Sequence, residues 1–255
     1  MIALLAVAAG LAGLVVGSFL EVVAERVHSK LPVDRVWPRC TSCATGGPLR
    51  LPVVSWVVQR GRCPTCRART GVRRPLLELA CGTLFAATVV RFGVSYHLPA
   101  YLVLGAGVLV LAAIDLEHQL LPNRIVYPTG IAVGGLLFLA ALAEAEPRSV
   151  AWALIGAVGS FGLFFLLHLI QPGGMAFGDV RLSFVLGMAT GWLGLSRVPL
   201  FLFSSFVFAA VVGLVYAAVS GKGLKALIPF GPFLVLGAEL AIFVPNTLAD
   251  SYLGL

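Results

Sequence analysis

Residues 98–116 read Leu98-Pro-Ala-Tyr-Leu-Val-Leu-Gly-Ala-Gly-Val-Leu-Val-Leu-Ala-Ala-Ile-Asp115-Leu116. An uninterrupted apolar run of this length is what crossing about 30 Å of hydrocarbon requires. It shows no period-two alternation, so it reads as a helix that satisfies its own backbone and not as a barrel strand. A lone carboxylate, Asp115, closes it. Seven further runs share this character: 2–24, 76–93, 125–143, 150–170, 180–196, 198–219 and 226–244. The expected fold is therefore an all-α polytopic membrane protein of about eight transmembrane helices. The one long connection, 25–75, has room for a small loop domain. The expected organisation is 1–24, a first helix; 25–75, a zinc-binding loop domain; and 76–255, a seven-helix membrane core.

Composition agrees. The chain has 255 residues, 59% hydrophobic and 11% charged, with a mean hydropathy of +1.00. Soluble domains carry about 25% charged residues, so this chain lacks the polar surface to stay folded in water. An ordinary soluble enzyme, a disordered regulator and a secreted disulfide scaffold are excluded.

The net charge of +7 is concentrated: of 18 Lys and Arg, 11 fall within 25–75. In a membrane protein such a loop is a topology signal, because short basic loops stay cytoplasmic. Placing it inside also puts Arg124, Arg181, Lys222 and Lys225 inside, and leaves Arg91, Arg148 and Arg197 outside. Both termini are then expected outside. The first segment has its basic flank after it, and reads as an uncleaved helix and not a signal peptide. Arginines interleaved with aromatics are absent, so nucleic acid is not an expected partner.

Four cysteines form Cys40-x-x-Cys43 and Cys63-x-x-Cys66, with nineteen residues between the pairs. Paired knuckles of this spacing suit a tetrahedral zinc site of four thiolates. With no corner left for water, the metal is expected to be structural. A cytoplasmic loop is also a reducing setting, which disfavours disulfides. Cys81, inside an apolar run, reads as a small core residue.

Charges at the edges of apolar spans are functional candidates by default. Asp115 ends the third span, and Asp179, in Gly174-Met175-Ala176-Phe177-Gly178-Asp179, begins the sixth. The topology brings both to one face. Two converging carboxylates sharing a proton can activate water and protonate a leaving group. Ordinary alternatives stand beside this: Asp179 as a helix N-cap, and Asp115 with Glu117 and His118 as a solvated helix end. Glu239, inside the last span, is a further unusual acid.

At these residues the chain resembles the type IV prepilin peptidases, membrane aspartic proteases. The resemblance runs in order through Gly17-Ser18-Phe19-Leu20, the two knuckles, Arg74-Pro75-Leu76-Leu77-Glu78-Leu79, Asp115 to Pro122, Gly174 to Leu182, and Pro229-Phe230-Gly231-Pro232. Glu21, Asn123 and Ala176 stand where that family commonly has Asn, Asp and Gly. Asn123 leaves Asp115 as the better catalytic choice of the two positions. The resemblance implies a bacterial inner-membrane enzyme with Asp115 and Asp179 as its dyad. It would cleave the short basic leader of prepilins or pseudopilins at the cytoplasmic face, where Glu25, Glu78 or Glu117 would read the leader. It also implies N-methylation of the new terminus by S-adenosylmethionine, for which no donor site can be placed. The rivals are a proton-coupled transporter, which leaves the knuckles unexplained, and a membrane anchor for a zinc module, which leaves the aspartates unexplained.

Overall fold

A computed structural model describes residues 1–28, 43, 52–171, 175–220 and 229–245. Among them the chain is helical, with one isolated antiparallel bridge between Arg62 and Arg69. The helices are α1 (Ile2–His28), α2 (Val54–Val58), α3 (Arg73–Phe92), α4 (Leu98–His118), α5 (Asn123–Glu144), α6 (Pro147–Ile170), α7 (Phe177–Leu193), α8 (Arg197–Ser220) and α9 (Gly231–Phe243).

Every predicted span coincides with a helix, and among the described residues six are long and apolar enough to cross a membrane: α1, α3, α4, α5, α6 and α8. The spans expected at 180–196 and 226–244 are helices of 17 and 13 residues. At 1.5 Å per residue these reach about 25 Å and about 20 Å, short of the hydrocarbon thickness. The sequence shows why. Gly194, at φ 143°, ends α7 three residues before α8 begins. Pro232 lies at the start of α9, where its missing N–H costs nothing.

The chain forms two compact units, Met1–Val110 and Leu111–Leu255, whose boundary falls inside α4. In the first, α1 and α3 pack at backbone distance: a Cβ at Gly17 would lie 2.6 Å from Glu78 Cα, and one at Gly13 would lie 2.7 Å from the Cys81 carbonyl oxygen. Phe92 and Tyr101 stack at 4.4 Å and secure the turn between α3 and α4. Leu4, Val7 and Leu11 of α1 are exposed, as expected of a surface that meets lipid.

In the second unit α7 is the interior helix, packed against α5, α6, α8 and α9 and mostly buried. Gly156 of α6 meets Gly187 and Gly191 of α7 closely enough that no side chain fits between them. This is the small-residue packing that membrane helices need where lipid gives no hydrophobic drive to associate. Short α9 lies along the first half of α8. Its last carbonyls, at Ala241, Ile242 and Val244, accept from Arg197 at the start of α8. Phe230, just before α9, packs on Phe206 at 5.5 Å. From Phe206, α8 continues to Ser220, about 20 Å further.

Candidate active site and metal centre

The second knuckle is a tight loop closed by its own backbone. The Cys63 N–H donates to the Ala68 carbonyl at 2.8 Å, the Arg67 N–H donates to the Cys63 carbonyl at 2.9 Å, and the Arg62–Arg69 bridge draws its ends together. The Sγ atoms of Cys43, Cys63 and Cys66 lie within 4.8 Å of one another, with Cys43 and Cys63 at 3.7 Å. Zn–S bonds of about 2.3 Å place two tetrahedral corners about 3.8 Å apart, so the donor set fits the ion. Cys40 lies outside the described residues. The backbone N–H groups of Cys66 and Thr65 bond the Cys63 sulfur and lower its pKa from 9.0 to about 6, against the opposing effect of burial. At neutral pH the sulfur is therefore mostly the thiolate that a metal requires.

Asp115 sits one turn before the end of α4 and is 5% exposed. Its Oδ2 accepts the Gly231 N–H at 3.0 Å, so the carboxylate meets the N-terminus of α9. A Cβ at position 231 would fall 2.5 Å from that oxygen, so any other residue there would displace the carboxylate. Asp179 lies in the first turn of α7 and is 4% exposed. It is not the N-cap. That position is Ala176, and no side chain caps it. The Asp179 carboxylate instead reaches back to the Ala176 backbone, and Asp115 is near enough for its charge to act on it. Two carboxylates from separate helices thus share one buried end of this unit, and neither is a solvated helix end.

The seam beside them is also built. Gly178 packs on Leu121, where a Cβ would lie 2.8 Å from the leucine Cβ. Arg181 donates from Nη1 to Asn123 Oδ1, and its guanidinium lies over the Phe177 ring at 4.5 Å and the Tyr127 ring at 5.7 Å.

Glu78 differs from expectation. It is fully buried, at 0% exposed, and cannot read a leader. Its carboxylate accepts from Ser18 Oγ, from Arg74 Nε at 2.9 Å and from the Val53 N–H at 2.5 Å. It therefore ties α1, α3 and the end of the cysteine loop together inside the first unit. Beside it, Arg73 Nε and Glu21 Oε2 are 3.4 Å apart. Glu25 and Glu117 are exposed, and Glu239 is half-buried on α9. Sequence reading missed Gly231 and Arg181 as site residues. The Pro-Phe-Gly-Pro signature held the first, and the short step from Asp179 to a cation held the second.

Two family models match: the bacterial peptidase A24 N-terminal domain over residues 11–92 and the type IV leader peptidase family over residues 102–214. Among curated relatives named prepilin leader peptidase/N-methyltransferase, the Stutzerimonas stutzeri protein is 32% identical, over 92% of this chain and 81% of its own length. The Pseudomonas putida protein is 32% identical, over 90% of this chain and 87% of its own. The Bacillus subtilis protein is 30% identical, over 94% and 95%. No solved structure matches this chain.

Proposed function

Because the chain belongs to the type IV leader peptidase family, we propose that it is a membrane aspartic endopeptidase. It removes the basic leader of type IV prepilins or pseudopilins, and Asp115 and Asp179 are the catalytic pair. The observation that carries this is the burial of both carboxylates at one end of a single helical unit, one of them anchored on the Gly231 N–H.

Water held between the carboxylates attacks the scissile carbonyl. One carboxylate takes the water proton, and the protonated partner donates to the leaving amine as the peptide bond breaks. Asp179 lies in the first turn of α7, whereas Asp115 lies in the last turn of α4 and faces the first N–H of α9, and the pair titrates as one system. The distribution of Lys and Arg supports a reading in which this end of the unit is at the cytoplasmic face and both chain termini are outside.

Zinc would be held by Cys43, Cys63 and Cys66, with Cys40 as fourth ligand, and would organise the loop without taking part in hydrolysis. The relatives' names support a second activity, methylation of the new N-terminus by S-adenosylmethionine. The transporter reading has no support in a chain of this family.

The test is leader release from a prepilin by the purified protein, followed on a gel, with labelled S-adenosylmethionine added to follow methyl transfer. Asp115→Asn and Asp179→Asn should each abolish cleavage while unfolding like the parent protein. Substantial turnover by either variant would overturn the dyad.

A further inference from the structure

We propose that Arg181 is a positioning residue, clamping the connection that follows Asp115 onto the helix that carries Asp179. The inference rests on the dyad reading and assigns the cation beside it.

The chain leaves Asp115, completes α4 at His118, and turns through 119–122 into α5 at Asn123. Backbone bonds close both ends of the turn: the Gln119 N–H donates to the Asp115 carbonyl at 2.9 Å, and the Ile125 and Val126 N–H groups donate to the Pro122 carbonyl at 2.9 and 3.1 Å. Two contacts then fix the turn to α7. Leu121 fills the space left by the missing side chain of Gly178, the residue before Asp179. Two residues later Asn123 accepts from Arg181, two residues after Asp179.

Helical geometry separates the roles on α7. Residues 179 and 181 differ by about 200° around the axis, so Arg181 faces α5 while Asp179 faces Asp115. Phe177, one turn before Arg181, lies under its guanidinium, and Tyr127, one turn into α5, lies near it. A guanidinium can lie over an aromatic ring while donating a directed N–H, a combination that a lysine ammonium cannot reproduce. Arg181 therefore acts on chemistry only through the spacing of the two aspartates. Displacement of a catalytic group by about 1 Å costs about 100-fold in rate.

The experiment uses the full-length protein, with leader cleavage followed in steady state and amide hydrogen exchange followed over 116–126. Arg181→Met should lower kcat about 100-fold with KM within about twofold of the parent value. Exchange across 119–124 should quicken about tenfold, as loss of a charge-assisted hydrogen bond allows. Asn123→Ala should behave similarly. The double variant should lose little more than Arg181→Met alone, because both changes remove one contact. Asn123→Asp keeps the acceptor and should retain activity.

Three results would overturn the clamp: parental kcat in Arg181→Met, a raised KM with kcat unchanged, or losses that multiply in the double variant. The first two would respectively make Arg181 dispensable or a substrate contact. Cleavage by Asp115→Asn would fail the dyad reading separately, and exchange over 119–124 would still decide the clamp.

Discussion

Arg197 is 1% exposed, yet sequence reading assigns it only to the outer side of the membrane. Its guanidinium supplies donors to carbonyls at the end of α9, which have no partner within their own helix. Arg197→Met should therefore destabilise the protein by about 2 kcal/mol, measured by denaturant unfolding in detergent. Parental stability would show that these carbonyls find other partners. Asp115 and Asp179 were legible because acids are scarce, only 11 in 255 residues, and each stood at the edge of an apolar run. Their partners were not. Gly231 lies 116 residues from Asp115, and Arg181 lies 58 from Asn123, and no local pattern encodes contacts over such separations. Glu78 was misread for a related reason. An acid near a span end is ordinarily solvated, and its burial depends on Ser18 of another helix and on a backbone N–H.

The helices were legible as elements because apolar runs without alternation have one solution in lipid. Their lengths were less so. Hydropathy continues through Gly194, where the backbone turns, and Pro229 and Phe230 lie before α9, which begins at Gly231. The small-residue pairs Gly13/Gly17 and Gly187/Gly191 have the four-residue spacing that lets helices approach closely, and they are where helix backbones meet; Gly130/Gly134, at the same spacing, meet the side chains of Val185 and Met188. The cysteine element carries its own prediction. Cys63 has its pKa lowered from 9.0 to about 6, so its ionised form prevails above that pH, and stability gained from a bound metal is present there and lost as pH falls. Zinc should stay bound to the purified protein at pH 7 and appear on a chromogenic chelator only on acidification, as protons displace the metal from the thiolates. Release already at neutral pH would argue against a closed thiolate site.

For the whole molecule, the bias of basic residues toward one set of loops predicts the orientation. In intact cells an impermeant thiol reagent should label Ala145→Cys, between α5 and α6, and spare Gln171→Cys, after α6. The reverse pattern would invert the protein in the membrane.

The shortness of α9 governs how such a molecule meets its surroundings. With Arg197 pinning its far end and Phe230 level with Phe206, its first N–H, and the carboxylate bonded to it, lies well short of the end of α8. A helix of about 20 Å falls short of the hydrocarbon thickness, a form of hydrophobic mismatch that a bilayer can meet by local thinning. With Asp115 and Asp179 proposed as the catalytic pair, hydrolysis would take place at that depth, and a client held in lipid would need to fray only its first turn to be cut.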